Sequence, residues 1–370
     1  MIINTLMFKN DMNHKKSLKN TLPKISTLSL FNDVKEEKPT SFTFIDLFAG
    51  IGGTRTAFEN VGGRCVFSSE WDKDCQKTYQ ANFNELPYGD ITKINVKNVP
   101  KFDVLVAGFP CQPFSSIGKR QGFMHATQGT LFYDVLRIIK GHTNKSIPKA
   151  FLLENVPGLI THDGGKTFEI IIKSLEKIGY KVFYKILNSG DFGLPQQRKR
   201  IYIVGLNKKI FGDKVNFEFP VGNHEKTFIC DYLEEKMEGY SISEHLQETY
   251  LFKVDDGRPV IVDKNSRIQV KTLVSSYHKI QRLTGTFVKD GKTGLRLFSE
   301  NECKAIMGFD KEFKFPVSRT QMYRQLGNSV AIPVVEAVAA VIVTHLDNLK
   351  HSNVHIEKTS SQIANYVQIA

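Results

Sequence analysis

The chain has 370 residues and carries 50 Lys and Arg against 38 Asp and Glu, a formal charge of +12, with 41% of residues hydrophobic and 24% charged. That composition excludes a collagenous, fibrous or wholly disordered chain, and the length suits about two domains of ordinary size. A basic balance favours polyanionic partners without choosing among them.

Residues 1–40 are polar and rich in Lys and Asn, which predicts a mobile N-terminal arm. Met1 to Lys16 contains neither the uninterrupted apolar core nor the small-residue cleavage site of a secretory leader, so a cytoplasmic protein is expected. From Phe42 onward, short apolar runs alternate with helical patterns, as in a parallel α/β sheet. The predicted strands cover 42–48, 64–68, 102–107, 150–154, 181–187 and 201–204. Phe168, Ile171, Ile172, Leu175 and Ile178 recur at helical spacing, and Gly179 follows as a stop. After Leu206 the alternation fails, and 207–295 reads as a separate, irregular module. Helical patterning returns over 296–350, ending in a helix from Pro333 to Leu349, and 351–370 is left as a C-terminal tail. The longest apolar run, Ala337 to Val343, is far shorter than the roughly 20 residues of a bilayer crossing, so no membrane partner is expected. The five cysteines, Cys65, Cys75, Cys111, Cys230 and Cys303, are odd in number and contain no Cys-x-x-Cys pair, which argues against a disulfide framework and a metal site.

Chemistry is expected at the ends of the first three strands. Phe48-Ala49-Gly50-Ile51-Gly52-Gly53 joins a strand to a helix, and such glycines let backbone approach a ligand. Glu70 and Trp71 stand at the end of the next strand, and Asp90 with Ile91 precedes the third. A carboxylate for a ribose, an indole and an acceptor for an adenine amino group predict a nucleoside cofactor at the carboxyl edge of the sheet. Taken singly, each has a plainer reading as turn, core or solvated residue. The third strand leads into Gly108-Phe109-Pro110-Cys111-Gln112-Pro113, where two prolines hold a cysteine at the sheet edge as a candidate nucleophile. The following 116–128, rich in Gly, Lys and Gln, reads as a lid.

These motifs, with Glu154-Asn155-Val156, Gln196-x-Arg198-x-Arg200 and Gly327-Asn328-Ser329-Val330, occur in an order that resembles the cytosine-5 DNA methyltransferases of bacterial type over about 42–346. The resemblance implies a Rossmann-like, S-adenosylmethionine-dependent methyltransferase sheet. Residues 41–206 and 296–350 would form the catalytic domain, and 207–295 a smaller irregular target recognition domain. S-adenosyl-L-methionine would be the cofactor, with no metal. Its site would comprise Phe48, Gly50, Gly52, Gly53, Glu70, Trp71, Asp90, Ile91, Pro110, Leu131, Asn328 and Ser329. Cys111 would add to carbon 6 of cytosine, Glu154 would share a proton with ring nitrogen 3, and Arg198 would donate to oxygen 2, with Arg200 completing the catalytic set.

Such a reaction requires an unstacked base, so rotation out of the duplex is expected. Gln112, Ser115, Lys119 and Arg120 near the nucleophile, and Thr272, Tyr277 and Lys279 in the irregular module, are the expected DNA contacts. The implied partners are double-stranded DNA and a cognate restriction endonuclease, with the chain itself a monomer. RNA methylation on the same scaffold, and a non-enzymatic DNA-binding relative, are the alternatives. Two positions depart from the family pattern: Gln128 stands where an arginine is usual, and Arg296-Leu297-Phe298-Ser299 carries Phe and Ser where Leu and Thr are common.

Overall fold

Six strands form one twisted sheet whose order, β2-β1-β3-β4-β7-β5, reverses direction between β1 and β3. The computed structural model describes residues 41–110, 131–142, 147–222 and 225–367, with side chains described as far as 350. In chain order the first half runs β1 (Phe42–Leu47), α1 (Gly53–Asn60), β2 (Gly63–Ser69), α2 (Lys73–Phe83), β3 (Val104–Ala107), α3 (Phe132–His142), β4 (Ala150–Asn155), α4 (Lys166–Lys177) and β5 (Tyr180–Asn188). A two-residue strand β6 (Gln196–Gln197) and the long β7 (Lys199–Asn207) follow. β1, β2, β3 and β4 pair in parallel, as their apolar runs predict. The parallel expectation fails at β7, which pairs antiparallel with both β4 and β5. The turn between β5 and β7 is too short to hold a crossover helix, and without one the chain must reverse.

Alternation along each strand divides the core in two. Phe42 and Phe44 of β1, with Val104 and Val106 of β3, face one side, while Ile45 and Leu47, with Leu105 and Ala107, face the other. α3 and α4 cover the second side through Val135, Ile139, Ile171 and Leu175. α1 and the last helix cover the first.

Beyond β7 the elements are short: α5 (Lys208–Phe211), α6 (Glu244–Leu246), β8 (Val260–Val262), β9 (Val270–Lys271) and β10 (Thr286–Val288). β8 pairs with β10, and β9 with β6. Phe217, Ile229, Leu273 and Phe287 from this region share the hydrophobic cluster of Phe44 and Val104, so their core is continuous with the sheet's. Ser299, one of the departures from the family pattern, caps α7 (Glu300–Met307) in a reciprocal box with Glu302.

α8 (Arg319–Asn328) and α9 (Ile332–Val367) close the described chain. α9 thus continues well past Leu349, through a stretch expected to be a tail. The stretch Arg319–Lys350, broken by polar residues in sequence, has a mean hydropathy of 2.0 over 18 residues, enough by length and composition for a membrane span. In the fold Val334, Val335, Val338, Ala339 and Ile342 are buried, and α9 packs on α1, so the apolar face belongs to the core.

Candidate active site

The reversal between β1 and β3 opens a crevice at the carboxyl ends of the strands, where α/β sheets bind ligands. There the chain leaves β1 through Phe48 at φ 58°, Gly50 at 55° and Gly52 at 88°. The first costs energy for a residue with a Cβ. Ala49 donates to the Ser69 carbonyl (2.9 Å), which ties this turn to the end of β2.

Beside the turn lies a cavity of about 330 Å³ whose wall includes Phe48, Glu70, Trp71, Asp90, Ile91, Pro110 and Leu131. Glu70 is buried, and its carboxylate accepts from the backbone amides of Gly50 and Asp72 (2.8 Å each). Burial raises its pKa, opposed by those amides. Trp71 is 76% exposed, an indole with no protein cover. Asp90 accepts from the amide (3.0 Å) and hydroxyl (2.8 Å) of Thr92, and the hydroxyl bond leads in holding its carboxyl below the usual range. Arg137 of α3 donates to the carbonyls of Ile91 and Ile94 (2.7 Å each) and pins this loop. Sequence reasoning missed it, because an arginine on a helix surface carries no motif.

Gly50, Gly52, Gly53, Asn328 and Ser329 are off the cavity wall. A Cβ on Gly50 would meet no atom within 4 Å, so its glycine answers to backbone angle and open space. A Cβ on Gly52 would fall 2.2 Å from the Phe83 ring, and one on Gly53 2.7 Å from Ser329 Oγ. Those two glycines therefore serve close packing behind the turn. Asn328 is the last residue of α8.

Residues 108–110 lead from the cavity wall at Pro110 to a second group of residues. At Gly108 a Cβ would lie 3.8 Å from Glu154 Oε2. Asn155 donates to the Phe109 carbonyl (2.8 Å), another positioning contact that sequence reasoning missed. Pro110 lines the cavity. Cys111, Gln112, Ser115, Lys119, Arg120 and Gln128 lie outside the described residues.

Glu154, near the end of β4, has a side chain only 15% exposed, with Arg200 Nε 3.1 Å from its Oε1 but not aligned as a hydrogen bond. Burial raises its pKa, and the charges of Arg200 and Arg198 oppose the rise.

Arg198 departs from expectation. It is buried, and its guanidinium donates to the carbonyls of Leu273 (3.1 Å), Gly327 (3.1 Å) and Ser329 (2.6 Å). Burial, and then the charge of Arg200, lower its pKa to about 10. With those bonds made to backbone, Arg200 is the arginine in ion-pair contact with the acid.

The predicted DNA contacts of the irregular region divide likewise. Tyr277 is a core residue: it donates to Thr286 O (2.7 Å), accepts from Phe298 N (3.0 Å) and stacks on Phe287 and Phe298. This burial corrects its assignment as a DNA contact. Thr272 donates its hydroxyl to Gln197 O (2.7 Å), and Lys279 is exposed. Arg282 donates to Leu251 O, Val254 O and Asp256. Arg296 has a fully buried side chain, with both Glu302 oxygens at 2.8 Å and Asp290 at 2.8 Å.

The model of the C-5 cytosine-specific DNA methylase family matches residues 42–344. The chain is 55% identical over 344 residues to the Type II methyltransferase M.BsuFI of Bacillus subtilis, covering 91% of this chain and 82% of that protein. It is 53% identical to the Type II methyltransferase M.MspI of Moraxella sp, covering 90% and 78%. Among solved structures, the Entamoeba histolytica methyltransferase EhMeth superposes with a TM-score of 0.68 at 24% identity, over 84% of this chain and 99% of that one. The S. pombe Dnmt2 methyltransferase does so at 0.67 and 22%, over 83% and 99%. At these identities the two structures speak for the shared fold.

Proposed function

Since the chain belongs to the C-5 cytosine-specific DNA methylase family, and is on that ground a DNA cytosine-5-methyltransferase, we propose that it methylates a cytosine rotated out of duplex DNA, through a covalent adduct on Cys111. The observation that carries this reading is the path of residues 108–110. Gly108 borders the Glu154 carboxylate, Pro110 lines the cofactor cavity, and Cys111 is the next residue.

The cavity suits S-adenosylmethionine: a buried acid, an uncovered indole and a left-handed glycine facing open space stand together beside a helix N-terminus. Glu70 would hold the ribose hydroxyls, Trp71 one adenine face, and Asp90 with Ile91 the adenine edge. When bound, this cofactor supplies the methyl group as an electrophile and is left as S-adenosylhomocysteine.

The chain's residues prepare the acceptor. Cys111 thiolate adds to carbon 6 of cytosine, and the pair from the 5,6 double bond makes carbon 5 nucleophilic. Glu154, whose pKa burial raises, shares a proton with ring nitrogen 3 as charge builds. Arg200, in ion-pair contact with Glu154, would donate to oxygen 2 in place of Arg198. After transfer, loss of the carbon 5 proton to water and cleavage of the carbon–sulfur bond restore the ring and the free thiolate.

Residues 207–295 would act as the target recognition domain between the two parts of the catalytic domain, 41–206 and 296–350, with Thr272 and Lys279 toward DNA. The chain would act as a monomer in the cytoplasm, protecting DNA from a cognate restriction endonuclease.

Bisulfite sequencing of DNA from cells expressing the chain tests the activity and reads out the site together. Cys111→Ser should abolish the signal while the purified protein still binds duplex. Turnover surviving at the wild-type rate would remove the adduct from the mechanism. Methyl transfer to transfer RNA, with none to duplex DNA, would overturn the choice of substrate.

A further inference from the structure

Segments far apart in the chain meet at the buried guanidinium of Arg198. Its Nη1 donates to Leu273 O, and its Nη2 to Gly327 O and Ser329 O. Neighbouring residues of the same segment bond to 195–197. Leu273 N donates to Gln196 Oε1 (3.0 Å), Thr272 Oγ1 to Gln197 O (2.7 Å), and Val270 N to Pro195 O (2.8 Å). A Cβ on Gly327 would fall 2.2 Å from Ser275 N and 2.3 Å from the Val274 carbonyl carbon, so the end of α8 rests directly on this backbone. Contact then continues from Ser329 to Gly53, at the start of the cofactor helix.

We infer that Arg198 is a positioning residue that couples duplex binding at residues 270–275 to cofactor binding at the turn 50–53, by fixing the distance between Leu273 and the Gly327–Ser329 turn. The inference rests on the reading that 207–295 receives DNA. Displacing either backbone would leave a buried, charged donor without its acceptor, so the two move together or not at all. A planar fork can hold separated carbonyls at fixed angles, whereas the single ammonium of a lysine cannot. Coupling of this kind is reciprocal: duplex must tighten cofactor binding by the same factor as cofactor tightens duplex binding.

The test is calorimetric binding of S-adenosylhomocysteine to wild type and Arg198→Lys, alone and with saturating duplex. Wild type should gain roughly fivefold or more in affinity on adding duplex. In Arg198→Lys the gain should fall below about twofold, with binding of S-adenosylhomocysteine alone changed less than about threefold. An unchanged gain, with kcat lost, would make Arg198 a substrate contact and overturn the inference. In wild type, which needs no substitution, S-adenosylhomocysteine alone should slow amide hydrogen exchange across 270–277, and unchanged exchange there would also overturn it. A wild-type chain that binds no duplex would defeat the functional reading. One that binds and methylates duplex, with the gain intact in Arg198→Lys, defeats this inference alone.

Discussion

The side chains that wall the cofactor cavity and several polar and aromatic ones of residues 277–296 have opposite fates. At the sheet edge Trp71 is left uncovered and Glu70 is turned toward a cavity, both at strand ends that topology opens to a ligand. In the irregular region Tyr277 and Arg282, and just beyond it Arg296, are bound into the protein itself. A composition that reads as a nucleic-acid surface is there partly an internal framework. Residue type indicates ligand contact only where the backbone already fixes which way the side chain faces.

Three substitutions break or sharpen this contrast. The largest effect is expected at the sheet edge. Glu154→Gln keeps a hydrogen-bonding group but cannot deliver a proton, and should lower kcat by roughly 10²- to 10⁴-fold. Burial raises the Glu154 pKa, so the active, protonated form persists above the range of a free glutamate, and wild-type activity should fall as pH rises through that raised value. The same proton contributes to folding stability at acid pH, and this contribution is lost as pH rises through the folded pKa. A pH–rate profile in Glu154→Gln with the same alkaline limb as wild type would assign that limb to another group.

Arg296→Met probes the framework. It leaves Glu302 buried without its cation and should cost about 3–5 kcal/mol in urea unfolding. A loss of DNA affinity at unchanged stability would instead make Arg296 a DNA contact. The smallest effect is expected from Trp71→Ala. An exposed indole contributes little to folding, so stability should stay within about 0.5 kcal/mol. Binding of S-adenosylhomocysteine should weaken by about tenfold at most, as the loss of one aromatic stacking contact allows. Unaltered affinity would take Trp71 out of the site.

The strands and helices of the first half were legible because a buried strand and an amphipathic helix leave different spacings of apolar residues. The direction of β7 was not, since an apolar run reads the same both ways and only the short connection from β5 decides it. The choice between Arg198 and Arg200 was hidden for a related reason. Equal parity would set Gln196, Arg198 and Arg200 on one face of a straight strand, but the ladder breaks at Arg198 between β6 and β7. Gln196 and Arg198 then turn to Leu273, and Arg200 to Glu154. Tyr277 was misread because its ring is enclosed by Phe287, Phe298 and Tyr323, contacts that local sequence does not encode.

The packing of α9 on α1, with Asn60 donating to Glu336 (2.9 Å), joins the first helix of the sheet to the last. During synthesis the outer layer of the cofactor half can therefore close only after residues 332–346 have emerged. Closing so long a loop late makes for slow folding. It also means that a chain cut short of α9 leaves the outer face of the first helix bare, with apolar surface open to water.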